Sequence, residues 1–170
     1  MVRKLKRKKF ALWAAAFCLL CGLSGCGASR ISGAARQDQP DDFYFVDTPV
    51  EEVIRDPVFG SYGRLIFPVD SWYYSGDTLG DLHLTWYNNI DPDETVAIVN
   101  YFKEHAAAGE TIFYDIYTEE EKAQDPEKED TGLFFFKGDP GAPFAVCNAG
   151  GGFAYVGAMQ DSFPHALELS

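Results

Sequence analysis

The chain has 170 residues, 46% of them apolar and 14 of them phenylalanine, enough for one ordinary domain with a packed core. Six of its 14 basic side chains fall within the first nine positions, so the rest of the chain carries eight basic against 26 acidic groups, a formal charge of −18. A body of that charge repels nucleic acid, which argues against DNA or RNA as a partner.

The basic group is Arg3, Lys4, Lys6, Arg7, Lys8 and Lys9, and an apolar run follows at 10–20. That run is short for a membrane span and has the length of a signal-peptide core. It leads to Leu23-Ser24-Gly25-Cys26, which resembles the lipobox of bacterial lipoproteins: leucine, two small residues, then the cysteine that receives diacylglycerol. The resemblance covers residues 1–26. It implies a signal peptide over 1–25, cleavage before Cys26, a lipid anchor on Cys26 and an extracytoplasmic place on the bacterial cell membrane. Cys18 and Cys21 then leave with the signal, Cys147 is the remaining thiol, and no structural disulfide is expected. Residues 26–42, apart from Cys26 and a lone Ile31, are Gly, Ala, Ser, Arg, Gln, Asp and Pro with no apolar period, the composition of a flexible tether.

Residues 43–110 form an N-terminal extension of mixed α+β character. Thr48 is placed to N-cap a short helix, with Pro49 first and Glu51 at the capping-box position, and that helix should stop before Pro57. Leu65 to Phe67, after a glycine turn, reads as a strand. Leu82, Leu84 and Trp86 alternate with His83, Thr85 and Tyr87, the period of a half-buried strand. Asp91-Pro92-Asp93-Glu94 is the clearest helix start in the chain, and Gly109 is the stop. Two faces of that helix are open: Ile98, Phe102 and His105, or Ala97, Tyr101 and Glu104.

Residues 111–170 read as strand 112–117, a helical turn 118–122, a charged loop 124–131 and an apolar strand 132–137 taken as central. A turn at Asp139-Pro-Gly-Ala follows, then a strand 144–147. After Gly150-Gly151-Gly152-Phe153, Asp161 or Ser162 caps a final helix through Pro164. A strand running into three glycines can converge backbone N–H groups on an anion, a phosphate or an oxyanion. The dinucleotide spacing G-x-G-x-x-G and the Gly-Lys-Ser/Thr ending of a phosphate loop are both absent.

The HGGG-type loop of lipases and esterases remains. Gly150-Gly-Gly-Phe153, with the strands before it and Phe163-Pro-His-Ala-Leu-Glu-Leu169 after it, resembles the start of an α/β-hydrolase, in the esterase/lipase branch with polysaccharide-linked acyl esterases (BD-FAE-like). The implied fold class is α/β: an incomplete α/β-hydrolase sheet, first strands and first helix, over 111–170, beside the α+β extension. The resemblance assigns oxyanion-hole N–H groups to Gly150, Gly151 and Gly152, an acyl pocket wall to Phe153 and support of the loop to Asn148, because Ala149 stands where a histidine is expected. It implies a serine hydrolase acting on small-molecule or polysaccharide-linked esters, with no cofactor and no metal. No G-x-S-x-G elbow is present, and Ser61 in Phe59-Gly-Ser-Tyr-Gly63 comes nearest. The chain thus reads as the N-terminal part of a longer hydrolase, inactive by itself and prone to aggregate through an uncovered sheet edge.

Other candidates read as structural. His83, His105 and His165 sit in settings that suit a strand face, a helix end and a first helical turn. Cys147 lies in an apolar strand, and the acidic run 119–130 lacks EF-hand spacing. Trp72, Tyr73, Tyr74 and Trp86 suit either packing or stacking on sugar rings. The rival reading is therefore a non-catalytic ligand-binding surface lipoprotein, with the aromatic group as its ligand surface.

Overall fold

Local capping decides where most elements begin. The computed structural model describes residues 42–67, 72–84, 90–152 and 154–170. Cys26, the signal, most of the tether, Trp86 and Phe153 lie outside them. Among the described residues the fold is mixed α/β, with five α-helices and two small two-stranded antiparallel sheets, and no hydrolase sheet.

The first helix, α1, spans Val50–Arg55. Thr48 does not cap it. Its hydroxyl accepts from the Phe45 N–H at 2.8 Å and closes the preceding turn, leaving Pro49 at the N-cap without a side-chain bond. Asp56 ends α1 and its carboxylate receives the Val58 N–H at 3.0 Å, starting a 3-10 helix over Pro57–Tyr62. The expected strand at 65–67 is instead α2, Gly63–Ile66. A short apolar run fits a buried helical turn as well as a strand. Glycine is required at its first position, because a Cβ at Gly63 would strike the Ile54 carbonyl.

Strand β1, Tyr74–Ser75, pairs antiparallel with β2, His83–Leu84. Leu82 and Leu84 are buried and His83 exposed, as the alternation requires. The loop between these strands is laced to the start of α1 through Val50 N–H to Asp77 O and Leu79 N–H to Thr48 O, each 3.0 Å.

Helix α3, Pro92–Ala107, is the longest element. Asp91 Oδ1 accepts the N–H groups of Asp93 and Glu94 at 2.9 and 3.0 Å, and Pro92 takes the first position, where a missing N–H costs nothing. Gly109, at φ 78°, turns the chain away in a conformation that favours glycine. The buried face is Thr95, Ile98, Val99 and Phe102, which decides between the two faces open in the sequence.

Strand β3, Phe113–Asp115, pairs antiparallel with β4, Gly132–Phe134, in the register Tyr114 to Leu133. Their connector holds α4, Glu119–Gln124, with a Thr118/Glu121 capping box, and a 3-10 helix over Pro126–Asp130. Thus β4 is not a central strand, and β3 and β4 are not the opening of a parallel sheet. The stretch 144–147 is not a strand: it joins no ladder, and Phe144 is 90% exposed. The Asp139 turn does form, with Ala142 N–H on Asp139 O at 3.1 Å and Gly141 at φ 85°, as a type II turn demands.

Helix α5, Ser162–Leu169, closes the domain. The buried core runs from α1, the first 3-10 helix and α2, with Val53, Phe59 and Ile66, to α3, and the β3–β4 hairpin and α5 pack phenylalanines against its Phe102 side. The Phe102 ring lies 5.1 Å from Phe134, 5.0 Å from Phe136 and 5.3 Å from Phe163. Full burial of one such side chain stabilises by about 1.5–3 kcal/mol. On the other side of α3, the Asn100 amide clamps the backbone of Tyr44, accepting its N–H at 2.8 Å and donating to its carbonyl at 2.9 Å.

Candidate functional site

The glycine turn folds back on itself. Gly157 N–H donates to Gly150 O at 2.9 Å and Ala154 N–H to Gly151 O at 3.0 Å, so residues 150–157 form a closed loop. Gly151, at φ 144°, passes so near Tyr155 O that a Cβ would collide with it, and Gly152 sits at φ 61°. Glycine is required at 151 on both counts.

The Gly150 N–H is taken. It donates to Asp161 Oδ2 at 2.7 Å. Asp161, read from sequence as a helix cap, makes no cap bond to α5 and holds the glycine turn instead. An oxyanion at Gly150 would therefore compete with a carboxylate of the same chain for a donor and be repelled by its charge. Asn148, the expected loop support, is exposed, and among the described residues it makes no hydrogen bond to the turn. Phe153 lies outside the described residues.

Beyond the glycines the loop delivers Tyr155 to the aromatic group. The Trp72 and Tyr73 rings lie 4.2 Å apart between centroids and tilted by 30°, and those of Tyr73 and Tyr155 lie 4.9 Å apart and tilted by 33°. Tyr74 meets Tyr155 edge-on at 6.0 Å. The Tyr74 hydroxyl donates to Gln160 Oε1 at 2.6 Å, tying β1 to the segment before α5. Trp72 remains 62% exposed. Trp72, Tyr73 and Tyr74 stand out in the sequence, whereas Tyr155 and Gln160 lie 81 or more residues away from them and carry no motif.

The remaining candidates are dispersed. His83 Nδ1 contacts Asp81 O at 2.7 Å, and His105 Nδ1 contacts Glu110 Oε2 at 2.7 Å beside the Tyr101 ring. His165 is exposed, Cys147 is half-buried and Ser61 is exposed within the first 3-10 helix. Among the described residues no group of three or more His, Cys, Asp and Glu side chains is placed to hold a metal ion.

The most strongly perturbed titratable group is structural. Tyr44 is buried, and its hydroxyl donates to Asp56 Oδ2 at 2.5 Å, while Lys103 Nζ lies 3.2 Å from the same carboxylate and 4.3 Å from the Tyr44 ring centroid. Burial first, then the Asp56 bond and nearby carboxylates, drive the phenol well above its usual range. Asp56 moves the other way. Burial pushes its pKa up, but bonds from Tyr44, the Val58 N–H and Lys103 together outweigh it and hold the carboxyl below its usual range.

Comparison with protein-family models, with characterised proteins and with solved structures returns no match to this chain.

Proposed function

We propose that this chain is a non-catalytic binding lipoprotein, anchored through Cys26 on the extracytoplasmic side of the cell membrane, that receives a saccharide on the Trp72–Tyr73–Tyr155 cluster. The observation that carries this reading is Trp72, a residue 62% exposed whose ring lies beside those of Tyr73 and Tyr155 in one aromatic cluster. One face of a pyranose presents C–H groups of partial positive charge, which the negative face of an aromatic ring attracts. Gln160 and the Tyr74 hydroxyl lie close by as polar partners for sugar hydroxyls. The acidic body favours a neutral glycan over an anionic one.

The ester-hydrolase reading has less support. Among the described residues β3 and β4 form a separate two-stranded antiparallel sheet rather than part of a larger one, and of the three glycine amides the one at Gly150 already holds Asp161.

Electrophoresis of the purified chain through gels containing single neutral polysaccharides tests the proposal. Retardation by at least one of them, lost in Trp72→Ala while the thermal melt is unchanged, is the expected result. Retardation by none overturns it. Turnover of p-nitrophenyl acetate together with labelling by a serine-directed probe overturns it in favour of the hydrolase.

A further inference from the structure

The β3–β4 hairpin is apolar on both faces. Its inner face sends Phe113 and Phe134 toward the core, where Phe134 meets Phe102 and Phe163 at 5.1 Å each. Its outer face carries Tyr114, Leu133, Phe135 and Ile116, each 43–57% exposed. Strand pairing explains the patch. Tyr114 lies opposite Leu133, and Phe135 follows two residues along the same face, its ring 6.1 Å from that of Tyr114. A solvated antiparallel ribbon ordinarily carries polar side chains on this face.

The end of the patch at Ile116 runs into the acidic connector. Between Asp115 and Asp130 the chain has eight carboxylates and two lysines, and both lysines are engaged within the connector. Lys122 Nζ lies between Asp115 at 2.8 Å and Glu119 at 3.1 Å, and Lys128 sits over the Tyr117 ring at 4.9 Å. Arg64 from α2 pairs with Asp130. Glu120, Asp125 and Glu127 stay exposed. The surface is thus apolar along one stripe and negative at one end.

We propose that this outer face docks a cationic amphipathic peptide segment of a partner protein, with apolar side chains on Tyr114, Leu133 and Phe135 and basic side chains at the Glu120–Glu127 end. Charge selects this occupant. A second copy of the chain would bring a body of the same strongly negative charge, and an anionic lipid surface would be repelled likewise. A cationic segment gains attraction at the rim and burial along the stripe, so the two contributions separate by mutation and by salt.

The test titrates the full chain with a synthetic helical peptide of leucine and lysine, and with its leucine and glutamate counterpart, at low and physiological salt. The lysine peptide is expected to bind and the glutamate peptide not to bind. Leu133→Ser with Phe135→Ser should weaken binding tenfold or more at both salt concentrations. Glu120→Gln with Glu127→Gln, which leaves the hairpin packing untouched, should weaken it severalfold and flatten the salt dependence. Undiminished binding by a folded Leu133→Ser, Phe135→Ser chain would reduce the effect to bulk charge attraction and overturn the proposal. So would self-association abolished by those substitutions, or binding of zwitterionic vesicles through the same residues. Should that double variant fail to fold, an unchanged affinity and salt slope in the Glu120→Gln, Glu127→Gln chain overturns it equally.

Discussion

The Gly150 N–H donates to the Asp161 carboxylate, 2.7 Å away and eleven residues along the chain. This bond fixes the entry of the glycine turn against the entry of α5. Replacing Asp161 with alanine should destabilise the protein by about 1 kcal/mol, the net contribution of a single hydrogen bond. A melt lowered by a few degrees, with faster exchange of the Gly157 amide, is the expected outcome. An unchanged melt would mean that the Gly157–Gly150 bond suffices to hold the turn.

The Tyr44–Asp56–Lys103 group predicts pH dependence at both ends of the scale. Asp56 has a folded pKa below its unfolded one, so its stabilisation is complete above the unfolded value and is lost as pH falls through the folded value. Tyr44 has a folded pKa above its unfolded one, so its contribution is intact below about pH 10 and lost above it. Tyr44→Phe should cost about 1–2 kcal/mol at neutral pH. It should also remove most of the alkaline fall and part of the acid one. Denaturant titrations at acidic, neutral and alkaline pH would check this; an alkaline arm identical in the variant would contradict it.

Gly132 predicts a clash. A Cβ at this position would run into the Phe113 ring, which is stacked on Tyr62 at 5.2 Å and held edge-on by Phe134 at 5.1 Å. Gly132→Ala should therefore destabilise by about 1–3 kcal/mol, the usual penalty of overpacking. Adding Phe113→Leu should return part of that loss, and strict additivity of the two changes in a double-mutant cycle would count against the contact.

Two phenylalanines should behave oppositely. Phe102 is fully buried among Phe134, Phe136 and Phe163, and Phe102→Ala should cost about 3–5 kcal/mol. Phe144, though it lies in the most strand-like sequence before the glycines, is 90% exposed, and Phe144→Ser should shift stability by no more than about 0.5 kcal/mol. A large loss at Phe144 would show that the stretch 144–147 is packed in solution.

These contrasts mark what the sequence could reveal. Helix α3 was legible because its start and stop are written in local chemistry, a capping aspartate, a proline and a glycine at positive φ. The alternation around His83 was legible for the same reason. Burial of the run 132–137 was not. Apolar side chains on both faces of β4 imitate a central strand, while only Phe134 and Phe136 reach the core. Thr48 does not cap α1, and Asp161 stands at the N-cap of α5 but bonds Gly150 instead, because a short polar side chain has several amides within reach and tertiary approach makes the choice between them. In the candidate site, Trp72, Tyr73 and Tyr74 are consecutive and stand out. Tyr155 joins them only because the glycine loop folds back, which no local pattern announces.

The Asn100 clamp on Tyr44 has a mechanical consequence. Its two hydrogen bonds, with the Lys103 ion pair to Asp42 at 3.1 Å, grip the backbone where the N-terminal chain enters the domain. A pull arriving from that side meets the middle of the longest helix before it reaches α1. A pull from the N-terminal side should then tug on the domain as one body rather than unravel it from its end.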